Sequence, residues 1–240
     1  MGHRSATKRI GLLAPSSSTT QEYEYTRILP DGITLHTARL ELRTVDPGAT
    51  IRIVEEIEQE SRKLADADVD VIVLAATAPS SRKGIGYDRE LIGRMEAASG
   101  KPATTASTGL IQALEVLGVR RIALAAPWSE EVNRIAAAFI EASGVRVLAQ
   151  RALGTVANLD IGLLEPETAL ELGCAADHSD ADAVMLACGN WRTLGIVDRL
   201  EATLGKPVVT TNQVTLWAAL RLIGHTAPVP GWGKLLRMGR

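Results

Sequence analysis

Cys188 closes the apolar run Ala183-Val184-Met185-Leu186-Ala187 and is followed at once by Gly189 and Asn190. The run shows no polar alternation, so it reads as a strand buried on both faces. A thiol at the carboxyl end of such a strand sits where open α/β sheets place their ligands, which makes Cys188 the candidate for chemistry. A buried cysteine is also often only a small hydrophobe, so position alone does not decide its role.

A second group of chemically able side chains follows an early strand, in Pro15-Ser16-Ser17-Ser18-Thr19-Thr20. Capping the helix predicted over 21–29 would use one or two of these hydroxyls. The surplus, with the free N–H groups of a helix start, suits a carboxylate, so Ser16, Ser17 and Ser18 are candidate substrate contacts. The stretch has neither the glycines nor the lysine of a P-loop, and Gly84-Ile85-Gly86 reads as a loop entering a helix. Trp128 falls at another strand end, where it serves as a pocket wall or as simple packing. His3, His36, His178 and His225 are scattered singly, so no metal set and no cofactor site is predicted.

The elements that must position these groups come in two copies. Arg9-Ile10-Gly11-Leu12-Leu13-Ala14-Pro15 repeats as Arg121-Ile122-Ala123-Leu124-Ala125-Ala126-Pro127, an offset of 121 − 9 = 112. Asp70-Val71-Ile72-Val73-Leu74-Ala75-Ala76 repeats as Asp182-Ala183-Val184-Met185-Leu186-Ala187-Cys188, again 182 − 70 = 112. Gly100-Lys101-Pro102 and Gly205-Lys206-Pro207 keep the order at 205 − 100 = 105. The chain is thus expected to be a duplicated α/β unit: two pseudo-symmetric, flavodoxin-like Rossmann lobes with parallel sheets and a cleft between them. One lobe would take 8–117 with 214–240, the other 118–213. Equivalent strand ends then converge on the cleft, with Ala76 on one wall and Cys188 on the other. Thr77 stands where the second copy has Gly189.

The 240 residues are enough for a large core, and a net charge of −2 without a basic stripe argues against nucleic acid or an anionic membrane as partner. Two cysteines in a chain of this size read as reduced thiols, and no apolar run approaches spanning length, so a cytoplasmic setting is expected. Residues 1–7 read as a tail outside the fold. A helix over 49–66 should bury Ile51, Val54, Ile57 and Leu64. Ser129 should cap a helix running to Ala142, with Glu130 and Glu131 at its positive end. Cys174 should be core within a helix over 166–176. The Pro/Gly-rich end, from 227 onward, should strap the first lobe. A helix start near Gly189 should draw the Cys188 pKa below about 8.5.

The motifs PSSSTT, LAATAPSSRKG, TTASTGLIQALEVLGVRRIALA, LACGN, GKPVVTTNQ and PGWGKLL occur in this order along nearly the whole chain. Together they resemble the aspartate/glutamate racemase superfamily, in its arylmalonate decarboxylase and maleate cis-trans isomerase branch. The resemblance implies a small mono- or dicarboxylate bound between the lobes and cofactor-free proton chemistry on the carbon beside a carboxyl group. The superfamily's racemases use two facing cysteines; here Ala76 takes the first place and Cys188 keeps the second. That argues against two-base racemisation, and against the isomerase mechanism, in which the first cysteine attacks the double bond. It resembles the decarboxylase arrangement, with a small residue at the first position and Cys188 as the one proton donor at the second; Thr77, the Ser16–Ser18 loop and the N–H groups of Gly189 and Asn190 are the expected donors to an enediolate. PSSSTT and His36-Thr37-Ala38-Arg39 look closer to the isomerases, which carry asparagine where Ser18 stands. Ala78 replaces a hydroxyl donor of the decarboxylases, and Trp128 replaces a tyrosine expected in both. A malonate decarboxylase is the expected function, with an isomerase or a non-catalytic carboxylate binder as alternatives.

Overall fold

In the computed structural model, which describes residues 7–46 and 48–239, two four-stranded parallel sheets repeat one topology. The first holds β1 (Lys8–Pro15), β2 (Ile33–Leu40), β3 (Val71–Leu74) and β4 (Ala103–Thr105) in the order β2-β1-β3-β4. The second holds β5 (Arg121–Ala126), β6 (Arg146–Ala152), β7 (Ala183–Leu186) and β8 (Val208–Thr210) in the order β6-β5-β7-β8. The offsets seen in sequence recur in the pairing register. Ile10 faces Val71 as Ile122 faces Ala183, each shifted by 112, and Ile72 faces Ala103 as Val184 faces Val208. Even the edge fastening is copied: Asp70 accepts from the Arg9 N–H at 2.8 Å, and Asp182 from that of Arg121 at 2.8 Å. The fold is therefore a duplicated α/β architecture with two parallel sheets.

Every residue of β3 and β7 is buried, as central strands covered by helices on both faces must be. β2 and β6, at the sheet edges, carry the half-exposed residues, among them His36, whose ring pairs with Thr34 at 3.0 Å. The two halves meet where the helix Ala106–Val116 crosses the helix Thr211–Leu222. Gly109 permits this crossing, because a Cβ there would stand 2.7 Å from the Val214 carbonyl oxygen. Both helices start one residue after a threonine cap: Thr105 accepts from the Thr108 N–H and Thr210 from the Gln213 N–H, each at 3.0 Å.

Three expectations are corrected. The helix expected over 49–66 is broken into Ala49–Arg52, a 3-10 turn Ile53–Glu56 and Ile57–Asp66. Its β-branched stretch 50–54 is poorly suited to one continuous helix, and Ile53 is buried while Ile51 is exposed. Residues 77–81, for which no element was expected, form a short helix; Pro79 is tolerated because its missing N–H belongs to the unpaired first turn. Cys174 lies on the outer face of the helix Pro166–Ala176, which buries Ala169, Gly173 and Ala176. The closing segment straps the second lobe. Asp198 accepts from the Gly233 N–H at 2.9 Å and pairs with Arg237, and Glu201 accepts from the Lys234 N–H at 2.9 Å. The cap expected at Ser129 is present, accepting from the Val132 N–H at 3.4 Å, and its helix spans Glu130–Ala142. Among the described residues no helix is long and apolar enough to cross a membrane. His3 and the start of the N-terminal tail, residues 1–6, lie outside the described residues.

Candidate active site

Strand ends from both lobes open into one cavity. Pro15 ends β1, Ala75 to Pro79 follow β3, Trp128 follows β5, and Cys188 to Asn190 follow β7, so parallel topology brings all four carboxyl ends together. Ala76 and Cys188, equivalent in the repeat, both line this space. A roof comes from the segment after β2, through Leu42 and Val45 of its loop and Thr50 of the short helix Ala49–Arg52. That loop is tied to the other lobe: Thr44 pairs with Ala157 as an isolated antiparallel bridge, and the Val45 N–H donates to the Val156 carbonyl at 2.9 Å. Asn158, next along, completes the wall. None of the lining side chains carries a charge.

Cys188 is buried, and its backbone differs sharply from that of its counterpart. Ala76 has an ordinary extended φ of −140°, whereas Cys188 has φ of 138°, a region that L-residues rarely occupy. Such an outlier persists only where the surroundings impose it, and it marks the Cys188 turn as a place where strain is held for position. The Cys188 N–H donates to the Thr211 hydroxyl at 3.0 Å, and that oxygen lies 3.0 Å from the Thr77 hydroxyl. Thr211, which the sequence reading missed, thus joins the thiol's backbone to the opposite lobe. Replacing Thr211 with Val should strand a buried N–H and cost about 1–3 kcal/mol of folding stability by urea denaturation. Unchanged stability would show that the N–H has another acceptor.

Burial pushes the Cys188 thiol up to about 12, against the opposing pull of the Asn190 and Trp191 N–H groups, which approach the sulfur. The expected lowering fails because no helix begins at Gly189. The chain runs through a turn to the 3-10 segment Leu194–Ile196, so two local N–H groups stand in for a helix dipole and desolvation outweighs them. At neutral pH Cys188 rests as a thiol.

The other sequence candidates divide into two sets. Thr77, Ala76, Trp128, Gly189 and Asn190 line the cavity with Cys188; Ser16, Ser17 and Ser18 do not. Ser16 accepts from the Leu42 N–H at 3.1 Å, Ser17 donates to the Leu42 carbonyl and accepts from Asn158 at 2.9 Å, and Ser18 reaches Gln21 at 3.3 Å. The serine loop therefore fastens the roof and the first helix start behind the cavity wall. The indole N–H of Trp128 donates to Asn133 at 3.3 Å, so where a tyrosine hydroxyl was expected this residue offers an apolar face. The Asn190 carboxamide is also engaged. Its oxygen accepts from the Thr19 and Thr20 N–H groups at 2.8 and 3.2 Å, and its nitrogen donates to the Asn158 carbonyl at 2.6 Å. A second-lobe side chain thus caps the first-lobe helix Gln21–Ile28. Gly189 packs so closely there that a Cβ would meet the Gln21 amide nitrogen at 2.3 Å. Asn158, Thr50, Leu42 and Val45 had no motif to announce them; only the folded roof brings them in. No group of three or more His, Cys, Asp or Glu side chains able to hold a metal occurs among the described residues.

Comparison with known proteins bears on what such a cavity does. The chain is 30% identical over 235 residues to arylmalonate decarboxylase of Bordetella bronchiseptica, covering 97% of this chain and 98% of that one. It is 31% identical over 241 residues to maleate isomerase of Pseudomonas putida, covering 95% and 96%. Among solved structures, a mutant of the maleate isomerase Iso from Pseudomonas putida S16 with maleate superposes with a TM-score of 0.93 at 26% identity, covering 97% of this chain and 98% of that one. A liganded arylmalonate decarboxylase, in which a glycine is replaced by cysteine and a cysteine by serine, superposes with a TM-score of 0.90 at 30% identity, covering 95% and 98%. These relatives are decarboxylases and isomerases alike. Residues 10–236 match the family described as arylmalonate decarboxylase, and the chain belongs to that enzyme family.

Proposed function

We propose that the protein is a cofactor-independent decarboxylase of α-substituted malonates, with Cys188 as its single proton donor. The observation that carries this reading is one thiol, held in its protonated form, in a cavity that has Ala76 at the equivalent position and no charged side chain. A carboxylate pressed against Ala76, Ala78, Pro79 and the Trp128 face has no ion-pair partner. Its desolvation favours departure as neutral CO₂. The C–C bond breaks, its electron pair enters an enediolate with the remaining carboxyl group, and that oxyanion needs fixed donors. The Gly189 N–H has no acceptor among the described residues and is available. Thr77 is a second donor: if Thr211 gives its own hydroxyl proton to Thr77 while accepting from Cys188, the Thr77 proton is left for the cavity.

The Cys188 thiol then gives its proton to the α-carbon from one face. The sulfur is left as a thiolate facing the Asn190 and Trp191 N–H groups and regains a proton from solvent. A second reading, maleate isomerisation, draws equal support from the likeness to the maleate-bound structure. The Nocardia farcinica isomerase forms a covalently bound succinylcysteine intermediate. Adduct formation needs a nucleophilic thiolate, and a thiol kept protonated by burial suits proton donation better.

NMR of the protein in D₂O with substituted malonates, maleate and amino acids separates the readings. Decarboxylation with one deuterium placed on a single face of the α-carbon is expected. Fumarate formed from maleate without malonate turnover would establish the isomerase instead, and thermal stabilisation by diacids without any turnover would establish a binder.

A further inference from the structure

The first helix of the first lobe, Gln21–Ile28, carries a buried carboxylate that serves the second lobe. Glu24 Oε1 accepts from the Thr193 N–H at 2.9 Å and the Leu194 N–H at 3.0 Å, while Oε2 accepts from the Asn212 amide at 2.6 Å. The same Asn212 nitrogen reaches the Trp191 carbonyl at 3.4 Å. The Trp191 N–H donates to the Cys188 carbonyl at 3.4 Å, which ties this turn to the Cys188 backbone, and the N–H groups of Asn190 and Trp191 favour the thiolate. One turn earlier on the same helix, Gln21 abuts Gly189, and the Thr20 hydroxyl donates to the Asn190 carbonyl at 2.9 Å. A single helical face, repeating every three to four residues, therefore grips the whole segment from 189 to 194. The strained φ at Cys188 is the kind of conformation that needs such external restraint.

We propose that Glu24 is a positioning residue that, across the lobe interface, holds the turn after β7 so that its N–H groups stay aimed at the Cys188 sulfur. The carboxylate does two things at once that no neutral side chain does: one oxygen takes both backbone donors and the other takes the Asn212 amide. The substitution Glu24→Gln would keep the first and set an amide against the amide of Asn212. Protonation of Oε2 has the same effect, so the acid form of Glu24 also loosens the clamp.

Burial pushes the Glu24 pKa from its ordinary value of 4.5 to about 7, with the Leu194, Asn212 and Thr193 donors and the Arg192 charge pulling the other way. The titratable and charged groups bearing on it are Arg192, on the gripped turn, and Tyr25, on its own helix. The helix Thr211–Leu222 presents Asn212 and Thr215, neither of which titrates. A raised carboxyl pKa means that Glu24's contribution to stability is fully present below pH 4.5 and is lost as pH rises through about 7. Positioning runs the opposite way, because the clamp is made by the carboxylate. Turnover should therefore fall as pH drops through about 7 while the fold becomes no less stable, a divergence that a merely structural role does not produce.

The test uses the full chain with Cys174→Ser, which removes the exposed thiol, and compares it with the same chain carrying Glu24→Gln. The first readout is the rate of Cys188 alkylation by iodoacetamide against pH, which needs no substrate and so stands apart from the decarboxylase reading. The second is the pH profile of kcat and KM with a substituted malonate, which rests on that reading. Expected are an alkylation rate in Glu24→Gln changed about fivefold or more and a kcat reduced about tenfold with KM little moved. The acid limb near pH 7 should vanish. A folded Glu24→Gln protein with the parent's alkylation profile would overturn the proposal, whatever the substrate proves to be. Should that variant not fold, Glu24→Asp, which keeps the charge but withdraws the carboxylate, is expected to show the same changes, and parental alkylation in it overturns the proposal equally.

Discussion

Replacing Cys188 with Ala should reduce turnover of any substituted malonate by roughly 10²- to 10⁴-fold, the worth of a positioned general acid, while the protein remains folded. The thiol is buried in the cavity and shares no disulfide, so truncating the side chain breaks no covalent tie and gives up only the approach of the Asn190 and Trp191 N–H groups to the sulfur. The backbone ties stay in place: the Cys188 N–H keeps Thr211, and the 189–194 segment keeps its grip on the first-lobe helix. What disappears is the proton aimed at the α-carbon. The check is CO₂ release and product NMR on a variant whose circular dichroism and thermal transition match the parent's. Full retained activity would remove Cys188 from the chemistry and with it the proposed mechanism.

Ala76→Cys should change the stereochemical outcome more than the rate. Ala76 lines the cavity at the position related to Cys188 by the repeat, and its extended φ of −140° accepts any L-residue without strain. A thiol there gives the second face of the enediolate an acid and a base. With one thiol on each wall, an α-aryl or α-alkenyl acid should undergo slow racemisation and exchange its α-proton for deuterium, neither of which the parent supports. Chiral chromatography and NMR in D₂O read both. If the folded double-thiol protein exchanges no α-proton, the two positions do not address opposite faces of one carbon. Pairing this variant with Cys188→Ser should move protonation to the opposite face of the α-carbon.

Much of this could be read before any coordinates. The repeat at an offset of 112 required the two halves to share one topology because duplicated strands must pair alike, and the register of Ile10 with Val71 and of Ile122 with Ala183 bears that out. It also located Ala76 and Cys188 at equivalent strand ends; parallel topology puts each at the carboxyl edge of its own sheet, and the packing of the two halves brings both edges to one cavity. Local chemistry was legible as well: the Ser129 cap and its helix to Ala142 depend on neighbours within a few residues.

Features decided by distant partners were not legible. The serines of PSSSTT have the right chemistry for a carboxylate, yet Leu42 and Asn158 claim their hydroxyls. Cys174 sits in an apolar sequence context but on the outer face of its helix, a choice set by which face meets the sheet. The closing segment went to the second lobe because Asp198 and Glu201 hold its N–H groups. The Cys188 pKa was misread for the same reason: its sign depends on how deeply the thiol is buried and on where the next helix starts.

The sequence by itself determined the duplicated α/β fold, the single thiol of the cavity and the silent Ala76 in its mirror position, because repeats and strand patterns are properties of the chain alone. Only the tertiary structure decided that the thiol rests protonated, that its backbone sits at φ of 138°, that the Thr211 hydroxyl accepts its N–H, and that Glu24 takes the Thr193 N–H of the turn that follows. Desolvation, strain and contacts such as that between Glu24 and Asn212, 188 residues apart, arise only when remote segments meet, and no local pattern encodes them.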